Sequence, residues 1–147
     1  MTTIGVTSVG SGVGQSVLRA LAFGELAPRT VGFDVAASNS GIHWADVALL
    51  VPPVRDAAAH REALLTAVRD QRIEVLIPGN DLELAPIAAL RDELATLGCT
   101  PIVSAPSATL LSGDKLAMAR WSAERELPFV RTWSLPEARD ATHELTY

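Results

Sequence analysis

Short apolar runs alternating with longer stretches of helical period constrain this chain more than any other feature. Ile4-Gly5-Val6-Thr7-Ser8-Val9 reads as a strand, after which Val13, Val17, Leu18, Leu21 and Ala22 recur at the spacing of one helix face. Thr30 to Asp34 and Val47 to Val51 are two more strands, the latter stopped by Pro52-Pro53. Ala57 to Arg72 is helical, with Leu64, Leu65 and Val68 on one side. Glu74 to Pro78 is a fourth strand. Asp81 is expected to cap the following helix, which carries Leu84, Ile87, Ala88, Leu90 and Leu94 and closes at Gly98. Thr100 to Ser104 is the fifth strand. Near-continuous apolar strands alternating with amphipathic helices predict an α/β fold, a parallel sheet covered on both faces. The expected strand order is 3-2-1-4-5, with the first strand near the middle.

After Ser104 the rhythm changes. Ser107 to Leu111 predicts a short helix, and Ser112-Gly113-Asp114-Lys115 opens a longer one running to about Arg125. Leu127-Pro128-Phe129 breaks it. Val130 to Trp133 suggests a short extended stretch, Leu135 to Arg139 a weak helical turn, and Thr142 to Tyr147 the approach to a strand.

With 147 residues and 48% hydrophobic side chains, one ordinary domain can bury a core without staples. Twelve basic against seventeen acidic residues leave a net charge of −5, which disfavours nucleic acid or an anionic membrane as partner. A lone Cys99 excludes an intramolecular disulfide framework and fits a reducing compartment. No run is long enough to span a bilayer as a helix, so a cytoplasmic protein is the expectation.

Gly10-Ser11-Gly12-Val13-Gly14-Gln15 lies between the first strand and the first helix. There an anion would meet unpaired backbone N–H groups and the positive end of the helix dipole. A dinucleotide fingerprint would place its third glycine where this chain has Gln15. Asp34 ends the second strand near the roughly 20-residue spacing of a ribose-binding acid. The plainer reading is that the glycines make a βα turn and Asp34 starts a loop.

Pro78-Gly79-Asn80-Asp81-Leu82-Glu83 follows the fourth strand at the same sheet edge, where Asp81 and Glu83 are candidates to face a ligand cleft. Both also suit a first helical turn on structural grounds alone. Lys115 sits at the end of its helix that the dipole disfavours for a cation, although a solvated lysine explains it as simply. Cys99 reads as inert packing. His43, His60 and His143 lack metal-ligand spacing, and no catalytic triad is legible.

In order, these pieces resemble the N-terminal, pre-ATP-grasp domain of the ATP-grasp superfamily, nearest the carbamoyl-phosphate synthase large-chain-like branch. The matching string begins with Gly14-Gln15-Ser16, Val31-Gly32-Phe33-Asp34 and Ala45-Asp46 leading to Val51-Pro52. It continues through Ile77-Pro78 with Asp81 and Glu83, then Asp114-Lys115, and ends in Leu127-Pro128-Phe129-Val130-Arg131-Thr132. The ordered set covers essentially the whole chain, although no single motif is specific. Leu-Pro-Phe-Val departs from the family's Ile-Pro-x-Pro.

The resemblance implies a Rossmann-like domain over residues 1–105 and a helical connector over 106–147 leading into an ATP-grasp domain. It implies that Lys115 stands where the family's lysine reaches ATP. Gly10, Gly12, Gly14, Gln15, Asp34, Asp81 and Glu83 are the corresponding candidates for binding a small-molecule carboxylate or other anion. The family's chemistry is ATP-dependent ligation through an acyl phosphate, using Mg2+. The lid lysine and magnesium carboxylates have no counterpart here, so the expectation is an N-terminal substrate-binding piece, inactive alone, with ATP and Mg2+ acting in the full-length protein. An autonomous NAD-binding module and a non-catalytic dimerisation domain are the alternatives, and a homodimer is compatible with either reading.

Overall fold

The computed structural model describes residues 1–140, so the strand approach expected over 142–147 lies outside them. Internal contacts divide the chain into Met1–Pro106 and Ser107–Tyr147.

In the first unit the strands are β1 (Thr3–Val6), β2 (Arg29–Asp34), β3 (Val47–Leu50), β4 (Val75–Ile77) and β5 (Thr100–Pro101). All pairings are parallel, and the order is β3-β2-β1-β4-β5, as the alternation predicts. Gly5 stands opposite both Val31 and Leu76, so these residues share one face of the sheet. Val31, Phe33 and Leu76 pack there with Leu64 and Val68 of helix α2 (Ala57–Gln71). Ile4 and Val6 point the other way, onto Leu18 of helix α1 (Gly12–Phe23). Two apolar clusters therefore lie on opposite faces of one sheet, a three-layer arrangement.

The segment after β4 differs from the single helix the apolar period suggests. Helix α3 (Asp81–Ala89) ends at Leu90 and α4 (Arg91–Thr96) restarts beyond it. Pro86 lies inside α3, where it has no N–H to give Leu82 O, yet the helix runs on to Ala89. The apolar spacing persists through the break because Ile87, Leu90 and Leu94 all reach the same core. Asn80, not Asp81, caps α3, its side-chain oxygen accepting from the Leu82 N–H at 2.9 Å. The closure at Gly98 is as expected. Gly98 takes φ +76°, while Cys99 N–H bonds Leu94 O at 2.9 Å and Gly98 N–H bonds Ala95 O at 3.0 Å, a Schellman ending.

A 3-10 turn at Gly41–Trp44, which the sequence pattern does not announce, leads into β3. β5 is short because it is an edge strand containing Pro101, which has no N–H to donate.

The second unit holds α5 (Pro106–Gly113, which begins at the boundary residue), α6 (Lys115–Ala123) and α7 (Leu135–Asp140). The expected extended stretch at Val130 to Trp133 forms no strand, since no partner strand pairs with it among the described residues. No described helix is long and apolar enough to cross a membrane.

Candidate functional site

The turns that leave the C-terminal ends of β1, β2 and β4 meet at one edge of the first unit's sheet, the usual ligand edge of an open parallel sheet. Ser8 follows β1 with φ 48°, a left-handed conformation uncommon for a non-glycine residue. Ser11 is the N-cap of α1, its hydroxyl oxygen accepting from Gly14 N–H at 2.9 Å. Close packing requires glycine at position 14: a Cβ there would lie 2.4 Å from the Ser8 carbonyl oxygen. At Gly12 a Cβ would meet nothing within 4 Å, so that position is open to solvent or ligand.

The loop is held by its own protein. Asp34 Oδ2 accepts from Gly10 N–H at 2.7 Å, and Oδ1 accepts from Ala36 N–H at 3.1 Å. Gln15 Nε2 donates to Gly10 O at 3.1 Å. Of the amides entering α1, those of Gly12 and Val13 have no partner among the described residues, while both residues are exposed. These N–H groups carry the positive end of the helix dipole outward.

Across from them is the β4–α3 turn. Val13, Pro78, Gly79, Asn80, Asp81 and Leu84 line a cleft of about 270 Å3. Asp81 is exposed beside it. Glu83 is buried, and its carboxylate accepts from the Thr7 hydroxyl. The candidates thus separate by placement. Gly12 and Asp81 border open space, whereas Gly10, Gly14, Gln15, Asp34 and Glu83 are engaged within the protein.

Ser11 and Val13 fall within the Gly10–Gln15 loop expected to meet an anion, whereas Thr7 joins the candidate site although sequence reasoning does not single it out. Ser11 carries a signal, a serine directly before the helical period. Thr7 carries none, because its role depends on what the β4–α3 turn places opposite.

Lys115 lies in the second unit, exposed, with Nζ donating to Ser112 O at 2.9 Å. It is the first residue of α6, capped by Asp114, whose Oδ1 accepts from Leu116 and Ala117 N–H at 2.9 and 3.0 Å. Within this unit a groove of about 360 Å3 is lined mainly by apolar side chains, among them Leu116, Leu127, Phe129 and Trp133. The tryptophans each sit beneath an arginine: Arg19 over Trp44 at 5.0 Å, Arg125 over Trp121 at 4.4 Å, and Arg131 over Trp133 at 5.3 Å.

Among the described residues, no group of three or more His, Cys, Asp or Glu side chains is arranged to hold a metal ion.

No protein-family model matches the chain, and no curated protein sequence matches it. Solved structures do. The biotin carboxylase domain dimer of Hydrogenobacter thermophilus 2-oxoglutarate carboxylase, in complex with MgADP, ADP and bicarbonate, aligns over 99% of this chain and 33% of its own. Its TM-score is 0.65 at 20% identity. The biotin carboxylase subunit of a pyruvate carboxylase aligns over 100% of this chain and 34% of its own, with TM-score 0.62 at 19% identity. A single-chain, multi-domain long-chain acyl-CoA carboxylase aligns over 91% and 14%, with TM-score 0.65 at 21% identity. The chain thus spans about a third or less of the proteins it matches. At these identities, what it shares with biotin carboxylases is the fold.

Proposed function

We propose that this chain is the substrate-binding domain of an ATP-dependent ligase of the ATP-grasp type, acting on a small carboxylate or bicarbonate through an acyl phosphate. The observation that carries the reading is a fold likeness extending over essentially the whole chain to a biotin carboxylase domain crystallised with MgADP and bicarbonate. Biotin carboxylases are themselves ATP-grasp enzymes. The ordered motifs from the Gly loop to Asp114-Lys115 point the same way. The narrower carbamoyl-phosphate branch rests on those motifs alone.

In this reading residues 1–105 form the binding domain, and 106–147 connect it to an ATP-grasp domain elsewhere in a full-length protein. The unpaired Gly12 and Val13 amides receive the anion at the positive end of α1. Asp81 borders the same cleft and favours a neutral or cationic group beside the anion. Lys115 contributes its charge to the nucleotide, with magnesium ligands supplied by other parts of the full-length protein. Phosphoryl transfer depends on positioning and charge stabilisation, so these residues alone should not catalyse it. The protein works in the cytoplasm, and a homodimer is compatible with the dimeric neighbour.

An autonomous NAD module is less well supported. Asp34 commits its carboxylate to Gly10 and Ala36 rather than presenting it to a ribose.

The test has two arms. A single lysine supplies roughly 1–3 kcal/mol to a phosphate, whereas micromolar affinity needs about 8 kcal/mol. Calorimetry with MgATP on the 147-residue chain should therefore show millimolar or weaker binding. Micromolar binding abolished by Lys115→Ala would mean the nucleotide site is complete here. In the full-length protein, ADP release should require a carboxylate or bicarbonate. ATP turnover indifferent to every such addition would overturn the ligase reading.

A further inference from the structure

Glu83 is 4% exposed and Thr7 fully buried, yet neither belongs to the apolar clusters that hold the sheet to its helices. The Thr7 hydroxyl donates to Glu83 Oε2 and, through its lone pair, accepts from Gly79 N–H at 3.2 Å. The carbonyl of the same Gly79 accepts from the Ser11 hydroxyl at 2.7 Å, and Ser11 Oγ accepts from Gly14 N–H at 2.9 Å. These bonds form an unbroken chain from the first turn of α3, through the end of β1 and the β4–α3 turn, to the first turn of α1.

The direction of each donor follows from the acceptor at the origin. A carboxylate oxygen can only accept, so Thr7 must donate to it and is left with lone pairs for Gly79 N–H. Gly79 is then anchored on both sides, by its N–H to Thr7 and by its carbonyl to Ser11. It lines the cleft together with Val13 and Asp81. Because Ser11 satisfies Gly14, the amides left unpaired at the start of α1, among the described residues, are those of Gly12 and Val13, on the open side.

We infer that Glu83 is a positioning residue: through Thr7 and Gly79 it sets the spacing between the start of α1 and the β4–α3 turn, and does not itself contact substrate. This rests on the proposed anion site for its functional consequence, while the hydrogen-bond chain itself can be tested without any ligand.

The experiment uses the 147-residue chain labelled for amide NMR, with Glu83→Gln, Glu83→Ala, Thr7→Ser and Thr7→Val. Inorganic phosphate is the probe, followed at the Gly12 and Val13 amides. Losing one hydrogen bond of the chain should speed hydrogen exchange at Gly79 and Gly14 by about five- to tenfold in Glu83→Ala and Thr7→Val. The Leu64 and Val68 amides of α2 should change by less than about twofold, and phosphate should weaken about fivefold or more. Thr7→Ser and Glu83→Gln retain a hydroxyl and an accepting oxygen, and should restore both readouts.

Unchanged exchange at Gly79 and Gly14 in Glu83→Ala and Thr7→Val overturns the inference. So does an equal loss of protection across α2, which would mark a purely structural role, or failure of the two conservative variants to rescue. Phosphate affinity unaffected by Thr7→Val, where wild type binds, also overturns it. If wild type itself shows no phosphate response at Gly12 and Val13, the anion-site reading fails, and the exchange result still judges the hydrogen-bond chain. Should Glu83→Ala not fold, the Thr7→Ser and Thr7→Val comparison decides.

Discussion

Asp46 Oδ2 accepts from both the backbone N–H and the hydroxyl of Thr30, at 2.7 and 2.8 Å. These bonds, backbone first, hold its carboxyl below the ordinary value near 3.8, with partial burial opposing and Arg29 adding attraction. A depressed folded-state value means that ionised Asp46 stabilises the fold above its unfolded value near 3.8. That contribution disappears as pH falls through the lower folded value. Asp46→Asn should flatten the acid side of the stability profile below about pH 4. Because Asp46 is exposed, the cost at pH 7 should be no more than about 1 kcal/mol. Urea midpoints measured from pH 2 to 7 for both proteins check this, and parallel profiles would refute it. Asp46 matters here as a clasp between strands, joining the start of β3 to β2. Its residue type is legible in the Ala45-Asp46 passage, but its partner is not, because Thr30 comes from another strand.

Along the segment between β4 and β5, apolar spacing identifies Ile87, Leu90 and Leu94 as core-facing, but not that Leu84 lines the cleft instead, nor where the helix breaks. Ile87, Leu90 and Leu94 reach one cluster whether or not the backbone is continuous between them. The cap is likewise ambiguous in sequence, since Asn80 and Asp81 are both good N-cap residues in adjacent positions. The turn decides between them: Asn80 has extended backbone (φ −147°, ψ 141°), whereas Asp81 is already helical. Asn80→Ala should therefore cost about 1 kcal/mol of stability. Asp81→Ala, which removes only a first-turn charge, should cost less, roughly 0.3–1 kcal/mol at low ionic strength and fading with salt. Equilibrium urea denaturation of both variants at low and high salt separates the two. Equal losses with the same salt response would contradict the capping assignment.

Cys99 reports on the molecule as a whole. It closes α4, is 1% exposed and sits in the larger apolar cluster, where burial pushes its thiol up to about 11. Alkylation at pH 8 should be negligible in the folded protein and should appear with the same urea midpoint as loss of helix signal. Rapid modification under native conditions would mean that the α4–β5 end opens on its own.

At the scale of the whole chain, the sequence alone is enough to specify an all-parallel, three-layer sheet with its first strand central. Strand-length apolar runs and helix-length periods admit few other packings, although burial on both faces holds for β1 and not for the edge strand β3, whose Ala48 and Leu50 are exposed despite its apolar run. It also points to the sheet edge of the candidate site, because glycines and a capping serine sit directly after β1. What it leaves undetermined is which of the acidic side chains there remain open. Asp34 and Glu83 look as available as Asp81 in one dimension. Only the tertiary structure brings Gly10 N–H within 2.7 Å of the Asp34 carboxylate and sets Thr7 against Glu83. A hydrogen bond between residues distant in sequence depends on register and crossing geometry, which no local pattern encodes.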